Sequence, residues 1–301
     1  MYRRIVLALD RDGLAESAMP VVAALAGSSL ARVVVLSVRD AETDAAPANV
    51  TADAAANAVA RLEGAGVCAR AEVLSVHARP VAAVIVEAAH RLRADLVALG
   101  SHGRGDLAGL LLGSVGHRVA ARLDCPVLLV HAGGHATRLA PIRRLLVAVD
   151  DSAEATGAVA AAAALAGEHG ADVVVVHSLD DDAVDRDGYG AAQHAAFALL
   201  DRAARRLAAQ GRAVEARLLT GPGSVAARLA AAAERWNADL VVVGSRRPTD
   251  LGGLILGSVG HELVKRTYRP VLLAERPLGR IRVEDRVPRA PEGSRRDRRT
   301  S

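Results

Sequence analysis

The twelve residues Asp106–His117 recur, with ten identities, as Asp250–His261, 144 residues further along the chain. A second copy of so long a stretch marks a duplication, and a duplicated unit meets the same folding problem twice. The flanking segments repeat in the same order: Ile5–Asp10 (IVLALD) matches Leu145–Asp150 (LLVAVD), and Ala94–Gly100 (ADLVALG) matches Ala238–Gly244 (ADLVVVG). With 301 residues, the chain divides into two domains of ordinary size. The expected boundaries are 1–137 and 141–276, joined by a linker at about 132–141 and followed by a tail, 277–301.

Within each unit, short β-branched runs alternate with segments of helical period. Strands are predicted at 3–9, 32–38, 70–76, 95–99 and 126–131, and again at 143–149, 172–178, 213–219, 239–243 and 270–274. Helices are predicted at 15–26, 51–64, 80–93 and 114–123, with counterparts at 153–168, 190–209, 224–236 and 258–267. The strand runs are nearly all apolar rather than alternating, which suits parallel strands covered on both faces. Asp151, with Glu154 three residues on, has the spacing of a capping box for the helix after 152. The fold class expected is α/β: two tandem, doubly wound, open parallel sheets of Rossmann-like character. In such sheets ligands bind beyond the carboxyl ends of the strands, where the winding reverses.

Hydrophobic residues at 51% against 24% charged are enough to bury two cores. No apolar run approaches the roughly 18 residues of a membrane span, and Met1-Tyr2-Arg3-Arg4 does not open a convincing signal peptide, so a cytoplasmic location is expected. Cys68 and Cys125 stand 57 residues apart with no pairing pattern and read as buried free thiols. The formal charge of +4 comes from the tail, where eight arginines face Glu284, Asp285, Glu292 and Asp297. Its Pro, Gly and Arg content without an apolar pattern reads as a disordered, basic appendage, and its interleaved acids and lack of aromatics argue against a nucleic-acid grip.

The residues after the fourth strand carry the chemistry. Gly100-Ser-His-Gly103, nine residues, then Gly113-Ser114 form an anion cradle. Gly103 has no Cβ to hold a phosphate away from its backbone N–H, and Gly113-Ser114 opens a helix whose first amides lack intrahelical partners. Val115, Val119 and Leu123 give that helix a buried stripe.

These residues resemble the universal stress protein family, in its nucleotide-binding branch, whose signature G-x2-G-x9-G-[ST] the first half matches throughout. The resemblance spans 1–131 and 143–275. It implies an adenine nucleotide alpha hydrolase-like fold with five strands in the order 3-2-1-4-5, and ATP, with Mg²⁺, as the ligand. It implies phosphate contacts from Gly100, His102, Gly103, Gly113, Ser114 and Val115, with Asp10 facing the adenine or ribose and Val38 against the base. Members of the family pair through the last strand, so the two halves are expected to pair within the chain, with a homodimer as a further option.

The chain departs from the family pattern in two places. The first strand is followed by Asp10-Arg11-Asp12-Gly13 rather than Asp-Gly-Ser. In the second half the corresponding residues are Asp150, Gly244, Arg246, Arg247, Gly257, Ser258 and Val259, so Arg247 replaces the second glycine. Either its Cβ blocks the phosphate, or its guanidinium replaces the lost backbone contacts with a charge-assisted pair.

Gly103-x-Gly105 and Gly221-x-Gly223 imitate a dinucleotide fingerprint but do not follow a first strand, and Asp124 and Asp239 precede strands rather than end them. Gly221-Pro-Gly223 reads as a strand-to-helix turn, in a position to line the cleft. His131 and His135 have H-x3-H spacing in a Gly-rich linker without acidic or thiol partners, so no metal site is expected. His117 and His261 read as surface or interface histidines. The resemblance, with an intact phosphate loop and no recognisable nucleophile with its base, implies a regulatory ATP-binding module in stress response rather than an enzyme. The alternatives are a nucleotide-free dimerising scaffold and a slow ATPase or phosphotransferase using Asp10 or Asp106.

Overall fold

The computed structural model describes residues 1–9, 14–40, 48–77, 79–101, 114–131, 141–179, 189–209, 213–245 and 258–274. The first half runs β1 (Arg4–Leu9), a 3-10 turn (Leu14–Ala18), α1 (Met19–Ser29), β2 (Arg32–Asp40), α2 (Ala48–Gly64), β3 (Cys68–Val76), α3 (Val81–Arg91), β4 (Leu96–Ser101), α4 (Ser114–Ala120) and β5 (Val127–His131). The second half repeats it as β6 (Arg144–Ala148), α5 (Ala153–His169), β7 (Asp172–Ser178), α6 (Tyr189–Ala208), β8 (Val214–Leu219), α7 (Val225–Arg235), β9 (Leu240–Gly244), α8 (Ser258–Arg266) and β10 (Val271–Ala274). Every expected strand is present to within two residues of its bounds.

The strands form one sheet, ordered β3-β2-β1-β4-β5-β10-β9-β6-β7-β8. Each half has the internal order 3-2-1-4-5 and is parallel throughout. The two tandem sheets are continuous, joined through their last strands as the resemblance implies. β5 and β10 pair antiparallel, with Leu128 opposite Leu272, and fuse the halves edge to edge. A last strand left open on each half would have presented unpaired N–H and C=O groups, and the pairing removes both edges at once.

Alternation along the central strands feeds two core layers. Leu96 and Ala98 join α1, α2, α5 and α6 on one face, while Val97 and Leu99 join α3, α4, α7 and α8 on the other. Both layers run unbroken across the β5–β10 seam. The uniformly apolar reading fails only at the outer strands. β3, with Arg70 and Glu72 two residues apart and ion-paired, is half exposed along most of its length because no described strand pairs beyond it.

Three local expectations are corrected. The helix expected over 15–26 divides, because Pro20 has no N–H for an α-helical ladder and so sits in the first turn of α1, after the 3-10 turn. Asp151 does not cap α5. Ser152 does, its Oγ accepting from the Ala155 amide at 3.3 Å, while the Asp150 carboxylate accepts from the Ser152 amide and hydroxyl. Both cysteines are free, but Cys68 is exposed and Cys125 half-buried, since each lies near a strand start and not in the core. The expected tail, 277–301, lies outside the described residues, as does the linker after His131.

Candidate functional site

Strand order reverses on either side of β6, which has β7 on one flank and β9 on the other. Connections leaving β6 and β7 run over one face and those leaving β8 and β9 over the other, so a crevice opens above the strand ends. In the second half this crevice is a cavity of about 600 Å³. Its floor is the end of β6 and the residues after it, including Asp150, Asp151 and Ser152. β7 contributes His177, Ser178 and then Leu179, β9 contributes Val243 and Gly244, and α8 contributes Val259 and Gly260 from its first turn. α6 closes the far side with Ala192, Ala195, Ala196, Leu199 and Arg202. The volume falls within the roughly 300–1,000 Å³ of small-molecule sites, and the wall is mostly apolar with a few polar groups, as such sites are.

Three of the residues singled out in the second half, Asp150, Gly244 and Val259, therefore share one wall. Ser258 begins α8, immediately before Val259. Arg246, Arg247 and Gly257 lie outside the described residues, and the competition between the two readings of Arg247 stays with them. In the first half Gly100 is the next-to-last residue of β4, before Ser101; Ser114 and Val115 begin α4, and Val38 packs near the end of β2 against the α3–α4 layer. Asp10, His102, Gly103, Gly113 and Asp106 lie outside the described residues.

Residues the sequence did not single out complete the cavity. The His177 ring donates from Nδ1 to the Val149 carbonyl at 2.8 Å, tying the ends of β7 and β6 together. Arg228, on α7, is 9% exposed and acts as a latch behind the wall. Its guanidinium donates to Ser178 Oγ (2.7 Å) and to the carbonyls of Leu179 (2.9 Å), Gly221 (2.7 Å) and Gly223 (2.6 Å). Gly221 and Gly223 adopt φ of 113° and 102°, a backbone that L side chains rarely enter, and this turns their carbonyls onto one cation. The turn expected at Gly221-Pro-Gly223 is thus present, but it braces the cavity from behind and does not line it. Asp239 stands at the opposite end of the strands, accepting from the Arg143 and Arg144 amides, as Asp95 does from Arg3 and Arg4. Both anchor strand starts, in keeping with the rejection of Asp239 as a ribose ligand.

The two repeated histidines meet each other. His117 of α4 and His261 of α8 pack edge to face, with ring centroids 5.0 Å apart, at the seam between the halves. Burial holds the His261 ring below the ordinary histidine value near 6.5, with Lys265 and His117 pushing the same way and Glu262 opposing. A lowered folded value means that the unfolded chain takes up the proton first. The stability tied to a neutral His261 is complete above about pH 6.5 and falls as the pH drops toward the folded value. Between pH 7.5 and 5.5, urea unfolding is expected to show a larger stability loss for the unaltered chain than for His261→Gln, with His169, also lowered chiefly by burial, supplying the residual slope in both. Equal slopes would disprove the assignment.

His131 belongs to β5 rather than to a linker, and packs edge to face against Tyr268 with ring centroids 4.7 Å apart. Its partner in the spacing, His135, lies outside the described residues. Among the described residues no three His, Cys, Asp or Glu side chains gather as metal ligands, and no helix is long and apolar enough to cross a membrane.

Two doubly wound units, joined through their fifth strands and each reversing strand order at a crevice, define a tandem α/β protein of the adenine nucleotide alpha hydrolase-like fold. The chain belongs to the universal stress protein family, whose family model matches residues 1–131 and 141–275. It is 31% identical over 187 residues to the universal stress protein Rv2005c of Mycobacterium tuberculosis, an alignment covering 60% of this chain and 62% of the relative, so less than two thirds of that relative's length is spanned. It is 30% identical over 217 residues to Rv2623 of the same organism, covering 69% of this chain and 71% of the relative. Among solved structures, a universal stress protein from Archaeoglobus fulgidus superposes over 91% of this chain and 98% of its own with a TM-score of 0.68 at 21% identity, which speaks to the fold alone.

Proposed function

We propose that the chain binds an adenine nucleotide, ATP with Mg²⁺, at the crevice of its strand ends and acts as a regulatory module in stress response rather than as an enzyme. The observation that carries this reading is the cavity between β6, β7, β9 and α8, with the first turn of α8 on its wall. The unpaired amides and positive dipole end of that helix suit phosphate oxygens. The apolar face of α6 at the other end suits a base. Mg²⁺ binds chiefly through phosphates and one or two carboxylates, and Asp150 and Asp151 on the floor are of the right kind to take part. Bound there, the metal would neutralise phosphate charge.

Nucleotide content tests the reading. Protein purified, denatured and run on an ion-exchange column is expected to release one to two moles of adenine nucleotide per mole of chain. Gly244→Val, which puts a branched side chain on the wall beside α8, is expected to remove the second-half share. No nucleotide, and no uptake on titration with millimolar Mg-ATP, would leave the scaffold reading. Phosphate release above mock-purified controls that vanishes in Asp10→Ala or Asp106→Ala would replace the regulatory module with an ATPase.

A further inference from the structure

We infer that His177 reads the 6-position of the purine in the second-half cavity, favouring a 6-amino over a 6-oxo base. The inference rests on the proposed nucleotide site, and begins from a tautomer. A backbone carbonyl can only accept, so the ring nitrogen 2.8 Å from the Val149 oxygen, Nδ1, must carry hydrogen. In the neutral imidazole that leaves Nε2 as an acceptor, and no other protein hydrogen bond is made by this ring among the described residues.

The cavity orients a ligand by its own chemistry. Anionic groups are drawn to the amino end of α8 beside Gly244. A flat, apolar base is then left for the opposite end, under Ala192, Ala195, Ala196 and Leu199 of α6. His177 belongs to that end. On β7, Val173 and Val175 face the α5–α6 layer, so the period of two puts His177 on the same face at the strand's end, lining the cavity. A fixed acceptor there takes an N–H from the amine of adenine and opposes the lone pairs of a 6-oxo group. Arg202, an exposed donor on the same wall, would exert the reverse preference.

Replacing the 6-amine by oxygen, as in ITP, turns the donor at that position into an acceptor and, in the lactam form, gives the neighbouring N1 a hydrogen. The purified full chain is photolabelled with 8-azido-ATP, the labelled peptides within 141–275 are mapped, and protection by ATP and by ITP is compared. In the unaltered chain ATP is expected to protect at about tenfold lower concentration than ITP, since the 6-oxo base leaves a polar pair unmade and opposes two acceptors. His177→Leu is expected to bring the ratio to within about twofold. His177→Gln, whose amide can turn either its donor or its acceptor inward, is expected to accept both nucleotides. As a second readout, made on the unaltered chain, the Nε2 resonance of His177 in ¹⁵N-histidine-labelled protein, assigned by its absence in folded His177→Gln, should move with ATP and not with ITP. A ratio near one in the unaltered chain, a ratio unchanged in His177→Leu, or a preference for ITP overturns the inference and leaves nucleotide binding standing. Absence of saturable labelling in 141–275 overturns both.

Discussion

Arg228→Leu is expected to destabilise the chain by about 3 kcal/mol, the cost of leaving buried acceptors without a charged donor. Four acceptors lose their partner together, two of them carbonyls of glycines whose backbone is held at positive φ. Leucine fills part of the volume and satisfies none of them. Arg228→Lys restores the charge but offers a compact ammonium where a planar fork reaches four directions, so it should recover only part of the loss. Urea denaturation reads this as a lower midpoint at unchanged slope. Because Ser178 and Leu179 are gripped on one side by the guanidinium and face the cavity on the other, Arg228→Leu should also weaken nucleotide retention in the second half and not in the first. A loss under about 1 kcal/mol, or a lysine variant equal to the unaltered chain, would show that the turn keeps its shape without the latch.

Calorimetry of the whole chain is expected to show one unfolding transition, not two. Both core layers cross the seam without a break, and Leu128 and Leu272, fully buried, sit opposite each other in the only antiparallel register among the described strands. Leu128→Ala and Leu272→Ala should each cost about 3 kcal/mol, the usual penalty for a leucine-sized void in a close-packed core. The double variant should cost about 1 kcal/mol less than the sum, because the two side chains share one contact. Resolved transitions, or strictly additive losses, would mean that the halves fold as independent bodies.

Much of the architecture was legible because the chain states it twice. Runs such as Leu145–Val149 and Val173–Val176 leave few alternatives to buried parallel strands, and the repeat offset fixed which strand matched which. Less legible was what depends on distance in space. Arg228 lies fifty residues from Ser178, and its sequence neighbourhood, an alanine-rich helix, gives no hint of a buried cation. Nothing in the sequence singles out His177, whose tautomer depends on the Val149 carbonyl 28 residues away. Pro20 was a signal in plain view that a smooth apolar period obscured. The helix cap was misjudged by one residue, since Asp, Asp and Ser in succession all have capping side chains and backbone geometry alone selects Ser152.

The antiparallel seam has an evolutionary consequence. Two identical chains meeting across a twofold axis must carry identical sites, and any substitution in one is imposed on the other. Here the partners are segments of one polypeptide, so their union does not depend on protein concentration and their sequences can drift apart. Gly103 in one half can stand against Arg247 in the other, and each crevice can be tuned to its own occupant while the seam keeps the pair in register.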